Sequence, residues 1–301
     1  MADHDGDLGL TRRDFLRQAG LATLAGLAGW RLLEGAEPAL FSTKNPLARV
    51  VLARDRNVLG ADGTPDARAV RRVIALGVQA LTEKRDARTA WRHLFRASDV
   101  VGVKFSRCTW MRVPTHQEVI DAVLDGLRTV PVPDGKMHTK DSGLPARDCT
   151  ALVNVTCLKA HPLTGFAGAI KNYINFHPKP DHYHHDNSGK LGEVWLRPEV
   201  KGKTRLIVLD LLTPYFGTGP QIDPRYRAHY GGVLLATDPV AADTVALRLC
   251  QQLRDRYKGK PWPLSPPPFF LAAADKEYRL GTSDPKRINL VRLGWKEGAL
   301  V

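Results

Sequence analysis

The chain has 301 residues, of which 43% are hydrophobic, and this is enough to bury the core of one large globular domain. Its net charge is +13, which favours anionic partners such as acidic sugars, phosphates or a lipid surface. Nucleic acid is not an expected partner, because the sequence has no helix-turn-helix, zinc-finger or aromatic-basic stacking motif. A solvated basic surface is the alternative interpretation of the charge.

The first predicted element is an export signal. The stretch TRRDFL at 11–16 resembles the twin-arginine export motif, and a mild apolar run at 21–30 follows it. That run is too short for an ordinary membrane-spanning helix. We therefore expect residues 1–37 to be a signal segment that sends the folded chain to the periplasm, with the twin-arginine export machinery as a partner. A membrane tether by an uncleaved signal stays open, and a surface amphipathic helix is the alternative.

Strands and helices are predicted to alternate along the rest of the chain. Apolar runs predict strands at 49–53, 99–106, 151–156, 205–212, 233–236 and 288–293. Helical spacing predicts a helix over 66–81 and another after the capping box formed by Thr115 and Glu118. Asp238 followed by Pro239 predicts the start of a third. This order is typical of an α/β fold with a mainly parallel or mixed sheet and flanking helices.

The cysteine pattern argues against two common roles for thiols. No cysteine belongs to a C-x-x-C pair, so no ferredoxin-type iron–sulfur motif is present in the sequence. Cys149 and Cys157 flank a predicted strand, and eight residues at ~3.3 Å each place them roughly 26 Å apart. A disulfide needs Cα atoms within about 7 Å. We expect these two cysteines, together with Cys108 and Cys250, to be buried free thiols.

A polar group follows the strand predicted at 151–156. Lys159 and His161 come directly after it, and Lys171 and Asn172 lie about ten residues later on a predicted short helix. Ligands of open α/β sheets bind at the carboxyl ends of the strands. Lysines, a histidine and an amide can bind a carboxylate or phosphate and move a proton. We predict that these four residues are catalytic; surface lysines and a structural histidine are the alternative.

The histidine-rich stretch HPKPDHYHHD supplies candidate metal ligands. His182, His184, His185 and Asp186 have side chains that suit a divalent transition metal such as zinc, nickel, copper or iron. His182 and His184 share one face if the segment is extended. A site needs about three convergent ligands with fixed partners, and a solvated loop is the alternative. The identity of any metal or other cofactor is left open.

Four further residues are candidates at a ligand site. Asp210 interrupts the apolar strand predicted at 205–212, so its carboxylate must be paired; it either orients the catalytic group or makes a structural hydrogen bond. Gly217 and Gly219 follow in GTGP, where the backbone can approach a cofactor. That pattern is neither the dinucleotide fingerprint nor a P-loop, and a tight loop is equally consistent with it. Asp243 is a candidate cofactor ligand, with the helix dipole as its structural alternative.

Two stretches resemble a known family. LVNVTCLKAHPLTGFAGAIKNYINF at 152–176, and a stretch at 206–249 that runs from LIVLDLL through GTGP to LLATDPVAADTVALRL, are similar to the domain of unknown function 362 family. VVGVKFS at 100–106 looks like that family's earlier strand. The resemblance covers roughly 95–250 of a single α/β domain expected over 38–301. It implies no common activity. Some members carry iron–sulfur ligands in appended modules, which we do not find in this sequence, and the histidine-rich stretch departs from the family pattern.

These patterns lead to two hypotheses from different classes. The first is an exported enzyme that binds an anionic small molecule, with a metal or redox cofactor suggested by the export route and the family resemblance. The second is a non-catalytic periplasmic binding or accessory protein for an anionic glycan or a metal. The sequence has no G-x-S-x-G or H-E-x-x-H motif, which argues against a standard serine hydrolase or zincin.

Overall fold

The structure is a computed structural model that describes residues 47–107, 112–217 and 222–301. The signal segment predicted for residues 1–37 lies outside the described residues, and so do Cys108 and Gly219. In the part of the chain that is described, no helix is long and apolar enough to span a membrane.

The described residues form a mixed sheet of eight strands. The strands are β1 (Ala48–Arg54), β2 (Val101–Lys104), β3 (Met137–Lys140), β4 (Ala151–His161), β5 (Gly165–Ala167), β6 (Thr204–Tyr215), β7 (Gly232–Ala236) and β8 (Ile288–Gly294). Their order is β3-β2-β4-β6-β7-β1-β8, and β5 pairs with the end of β4. Strands β3, β2, β4 and β6 run parallel, as do β1 and β8, whereas β7 is antiparallel to both of its neighbours.

Helices cover both faces of this sheet. They are α1 (Ala67–Thr82), α2 (Ala87–Leu94), α3 (Gln117–Thr129), α4 (Ala169–Asn172), α5 (Gly192–Trp195), α6 (Pro239–Lys258) and α7 (Phe270–Lys276). The apolar sides of α1, α2 and α3 share one core cluster with the strands, and α4 to α7 share the other. The expected α/β fold is therefore confirmed. Each face of the central strands is covered, which explains why those strands are continuously apolar.

The six predicted strands are all present, but two strands were not predicted. β3 has the sequence MHTK and is partly exposed at the edge of the sheet, so it lacks the apolar run that marks a buried strand. β5 has three residues and forms because it pairs with the end of β4. The partner of β3 is β2, which is distant in sequence, whereas β5 forms a short hairpin with the end of β4.

The capping box predicted at Thr115 and Glu118 is wrong. Helix α3 begins at Gln117 with His116 as its N-cap, and no side chain caps it. Thr115 Oγ1 is buried and has no hydrogen-bond partner among the described residues. The backbone N–H of His116 instead donates to Asp210, so a tertiary contact replaces the local cap. The cap predicted at Asp238 is confirmed, since its carboxylate accepts from two N–H groups of the first turn of α6.

Strand β4 is longer than the apolar pattern predicted. It continues to His161 and is buried throughout, so Lys159 and His161 lie within the strand and do not follow it. Pairing with β5 extends it, with Lys159 opposite Ala167 and His161 opposite Gly165. Its register with β6 shifts between Cys157 and Lys159. Polar side chains are thereby built into the carboxyl end of a central strand.

Candidate functional site

A cavity of about 470 Å³ lies at the carboxyl ends of β2, β3 and β4. These strands are parallel neighbours, so the residues at their ends meet at one edge of the sheet. The polar residues that line the cavity are Lys104, Ser106, Asp141, Thr156, Lys159, His161, Lys171, Asn172, Asn175, Asp181 and His184. The four residues predicted to be catalytic at the lysine–histidine motif are thus brought together.

Lys104, which was not singled out from the sequence, lies at the end of β2 and is 1% exposed. Its Nζ donates to Phe105 O at 2.7 Å and to Asn172 Oδ1 at 3.2 Å, and it lies 3.5 Å from Asp141 Oδ1. Burial, assisted by the charge of Lys159, lowers the pKa of Lys104 to about 8 against the opposing effect of Asp141. Lys104 is therefore a buried cation that can exchange a proton near neutral pH.

Lys159 reaches the cavity from the irregular end of β4. It is buried, and among its contacts Nζ lies 3.3 Å from Ser106 Oγ and 3.3 Å from Cys157 Sγ. Cys157 is buried, and among its other contacts Sγ lies 3.1 Å from Val113 O. Cys149 and Cys250 are buried free thiols, as expected. The contact with Ser106 connects the ammonium of Lys159 to the segment that follows β2, and the contact with Cys157 lies within β4.

Helix α4 brings Lys171 and Asn172 to the cavity, which confirms the predicted short helix. Asp243 of α6 anchors its first turn, because its carboxylate oxygens accept from Ala169 N at 2.6 Å and from Ile170 N at 2.9 Å. Asn172 Nδ2 donates to Asn154 Oδ1 at 2.8 Å. Asn172 therefore joins α4 to β4 and, through its Oδ1, to the ammonium of Lys104.

His161 is held as a neutral imidazole. Its Nδ1 accepts from the backbone N–H groups of Leu163 at 3.2 Å and Thr164 at 3.3 Å, and a nitrogen that accepts carries no proton. Burial, followed by the charge of Lys171, lowers its pKa to about 2. The ring of His184 stacks on it, with centroids 5.6 Å apart and planes inclined by 4°. Burial and Lys171 likewise lower the pKa of His184 to about 4.

The predicted metal ligands do not form one group. Residues 180–184 form a 3₁₀ turn and not an extended segment. His184 lines the cavity, whereas His182, His185 and Asp186 are exposed and do not line it. His182 faces His177 instead. Across the described ranges, no set of three His, Cys, Asp or Glu side chains is placed to hold a metal ion.

Asp210 belongs to a second polar cluster, which does not line the cavity. It is 1% exposed, and its Oδ2 accepts from His116 N at 2.8 Å and lies 2.6 Å from His116 Nδ1. His116 Nε2 is 3.3 Å from Thr213 Oγ1. Burial opposes protonation of His116, but the charge of Asp210 and its hydrogen bond outweigh it and raise the pKa. Asp210 therefore orients His116, and not the lysine–histidine motif as expected.

Gly217 and Asp243, two of the residues predicted to bind a cofactor, do not line the cavity. Gly217 is buried, and a Cβ atom there would lie 2.5 Å from Tyr215 Oη and 2.6 Å from Tyr226 Cδ2. The glycine is thus required by aromatic packing. Asp243 is fully buried, and both of its carboxylate oxygens accept hydrogen bonds from backbone N–H groups of α4. It positions the cavity-lining helix without facing the cavity.

Sequence reasoning missed Lys104, Ser106, Asp141, Thr156 and His116. Lys104 and Thr156 stand within apolar runs and resemble ordinary strand residues, and Ser106 and Asp141 follow strands that are distant in sequence from the lysine–histidine motif. The order of the strands brings them together. A usable signal was the position of Lys104 and Ser106 directly at the end of a predicted strand.

The comparisons with known proteins agree with the sequence resemblance. The family model described as Domain of unknown function (DUF362) matches residues 98–248, which is half of the chain. That range contains β2, β4, α4 and every residue that lines the cavity. No curated protein and no solved structure matches the chain. The chain therefore belongs to the domain of unknown function (DUF362) family.

Proposed function

We propose that the cavity is the active site of an enzyme that acts on an anionic small molecule. The observation that carries the proposal is the convergence of Lys104, Lys159 and Lys171 on one cavity at the carboxyl ends of parallel strands. Three ammonium groups in a partly enclosed site attract and orient carboxylate or phosphate oxygens. The neutral state of His161 and His184 leaves the positive charge of the site with the lysines.

The carboxylates at the cavity offset this charge in part. Asp141 lies 3.5 Å from Lys104 Nζ, so it chiefly neutralises that lysine. The side chain of Asp181 is fully exposed, and solvent screens its charge. Lys159 and Lys171 both line the cavity, and they are the groups assigned to bind the anion. A hydrogen bond to a charged group contributes about 1.5–3 kcal/mol, which corresponds to roughly 10- to 150-fold in affinity for each lysine.

Lys104 is the residue assigned to proton transfer. Its lowered pKa of about 8 lets it release and accept a proton near neutral pH. Its position is fixed by Phe105 O and Asn172 Oδ1, so the proton is delivered from a defined place. His161 is a hydrogen-bonding group in this scheme and not a base, because its Nδ1 is occupied by two backbone N–H groups.

Isothermal titration calorimetry with inorganic phosphate and with citrate tests the binding role. We expect binding by the wild-type chain and a loss of at least about tenfold in affinity in Lys159→Gln and in Lys171→Gln. Lys286→Gln is the matched control, because Lys286 is exposed and does not line the cavity. Equal affinity in all four proteins, or no binding by the wild type, contradicts the proposal.

Turnover separates the enzyme from a non-catalytic binding protein for an anionic glycan or a metal. Each anion that binds is incubated with the protein and then analysed by mass spectrometry. Chemical conversion that Lys104→Met abolishes supports the enzyme. Recovery of every bound anion unchanged supports the binding protein. Elemental analysis of the same untagged sample tests for a divalent transition metal or another cofactor.

We also propose that the chain is exported to the periplasm by the twin-arginine route. The support is the TRRDFL stretch and the apolar run that follows it. Replacing both Arg12 and Arg13 by Lys should leave the chain in the cytoplasm, whereas the wild type appears in the periplasmic or inner-membrane fraction. Wild-type protein found in the cytoplasm alone contradicts export. Mass spectrometry of the exported amino terminus distinguishes a cleaved signal from a membrane tether.

A further inference from the structure

Basic side chains collect at the end of the sheet that lies opposite to the cavity. Strands β2, β4 and β6 are parallel and begin at this end, whereas the cavity lies at the carboxyl ends of β2, β3 and β4. The segments before β2 and β4 and at the start of β6 each contribute basic residues. These six residues, called the basic end, are Arg92, Arg96, Arg147, Lys201, Lys203 and Arg205.

Hydrogen bonds join the three segments into one surface. Arg205 Nη1 donates to Leu94 O at 3.1 Å and to Asp99 Oδ2 at 2.6 Å. Lys203 Nζ donates to Ala146 O at 2.8 Å. The end of α2, the turn before β4 and the start of β6 are therefore held side by side.

Most of the positive charge of the basic end is not neutralised within the described part of the chain. Asp99 pairs with Arg205, and Asp148 is the other carboxylate of the segments 92–99, 146–150 and 201–205. Four side chains of the basic end are exposed and form no ion pair with a described residue: Arg92, Arg96, Arg147 and Lys201.

A cavity of about 320 Å³ lies within this surface, at the end of α2. Because Arg205 is already paired with Asp99, Arg92 and Arg96 are the guanidinium groups there that can bind an anion. The planar fork of N–H groups on arginine matches the oxygens of a phosphate group. The residues that line this cavity are Arg92, His93, Leu94, Phe95, Arg96 and Arg205.

The amino-terminal part of the chain joins the domain at the same end. β1 is antiparallel to β7, which is antiparallel to β6, so β1 and β6 begin at one end of the sheet. They are two positions apart in the strand order, which is about 10 Å. Residues 1–46 precede the first described residue, Leu47, which is 55% exposed. The segment that contains the predicted export signal therefore enters the domain close to the basic end.

We propose that the basic end is a membrane-docking surface that binds the phosphates of anionic lipid headgroups. Arg92 and Arg96 contact the headgroups in this arrangement, and the other basic residues add attraction to the negatively charged surface. Strand β4 has 11 residues, so the docking surface and the cavity lie roughly 30 Å apart. Docking therefore leaves the cavity open to soluble ligands.

Sedimentation of the purified full chain with lipid vesicles tests the docking. Vesicles that contain phosphatidylglycerol and phosphatidylcholine are compared with vesicles of phosphatidylcholine alone, which separates attraction to anionic lipid from apolar insertion of the signal segment. We expect the wild type to prefer the anionic vesicles, and the preference should decrease as the salt concentration rises. A basic residue near an anionic membrane contributes about fivefold in affinity. Arg92→Gln combined with Arg96→Gln should therefore weaken binding to the anionic vesicles about 25-fold at low salt.

Arg56→Gln combined with Lys296→Gln is the matched control. Both residues are exposed and follow β1 and β8 at the opposite end of the sheet, so this variant loses the same charge away from the basic end. It should retain the preference for anionic vesicles, and thermal denaturation should show that both double variants are folded.

Three results would overturn the inference. The first is equal binding of the wild type to the two kinds of vesicle. The second is a preference that the Arg92 and Arg96 variant retains, or that the control variant loses to the same extent. The third is release of the wild type from anionic vesicles by inorganic phosphate at constant ionic strength, which would assign the two arginines to free phosphate.

Discussion

The carboxylate of Asp243 occupies the space that a side chain at residue 168 would need. A Cβ atom on Gly168 would lie 2.2 Å from Asp243 Oδ1. The same oxygen accepts a hydrogen bond from Ala169 N. The absence of a side chain at Gly168 therefore lets α6 hold the first turn of α4, and α4 in turn carries Lys171 into the cavity.

Gly168→Ala should destabilise the protein and weaken anion binding in the cavity, which Gly168 also lines. The added methyl group must displace Asp243 or the start of α4, and overpacking of a buried site costs typically about 1–3 kcal/mol in the free energy of unfolding. We expect a loss of this size in chemical denaturation, together with weaker phosphate binding in calorimetry. Gly189→Ala is the control, because nothing lies within 4 Å of its added Cβ. Equal stability of the two variants would show that Gly168 and Asp243 are not coupled.

Asp243 should make the stability of the protein depend on pH. Burial raises the pKa of its carboxyl from 3.8 to about 7, against the hydrogen bonds from Ile170 and Ala169. Between these two values the folded state binds the proton more tightly than the unfolded state. The free energy of unfolding should therefore fall as the pH rises from about 4 to about 7.

Asp243→Asn removes this titration, so its stability should change less across the same pH range. Denaturation of both proteins at several pH values measures the difference. Curves that stay parallel from about pH 4 to about pH 7 would contradict the assignment of this dependence to Asp243.

The pKa of His116 should depend on Asp210. The carboxylate lies 2.6 Å from Nδ1 and raises the pKa of the imidazole above 6.5, although burial and Arg227 oppose it. The pair therefore stabilises the folded state fully below pH 6.5, and this contribution is lost as the pH rises through the folded-state pKa. NMR titration should show a lower pKa for His116 in Asp210→Asn. Asp86→Asn, which removes a cap of α2, should leave it unchanged; an unaltered pKa in Asp210→Asn would contradict the pairing.

Gly126 of α3 should be irreplaceable for a packing reason. A Cβ atom at this position would lie 2.1 Å from the ring of Trp91, which is nearly fully buried. Alanine improves helix propensity by at most about 1 kcal/mol, whereas the clash costs typically about 1–3 kcal/mol. Gly126→Ala should therefore lower the thermal stability. Gly135→Ala, whose Cβ meets nothing within 4 Å, should not; a more stable Gly126→Ala would show that Trp91 moves easily.

The sequence predicted the parts of the fold that depend on local pattern. Apolar runs located six strands because both faces of the central sheet are covered, and Asp238 with Pro239 located the start of α6. The same criterion ended β4 too early, since Lys159 and His161 break the apolar run while remaining buried in the strand. β3 was missed because an edge strand need not be apolar.

The candidate site was predicted in part for a similar reason. Lys159, His161, Lys171 and Asn172 are close in sequence, so one window contains them. Lys104 comes from another strand, and the strand order that places it beside Asn172 is not a local property. His116, the partner of Asp210, is likewise distant from it in sequence, so the sequence alone did not identify this pair. The export signal lies outside the described residues and stays a prediction.

A crystal structure of the protein grown with citrate would show whether Lys159 and Lys171 bind carboxylate groups in the cavity. We expect electron density for citrate in the cavity, with carboxylate oxygens about 2.7–3.2 Å from Nζ of Lys159 and Lys171. Citrate bound elsewhere on the protein, with water alone between the two lysines, would contradict it.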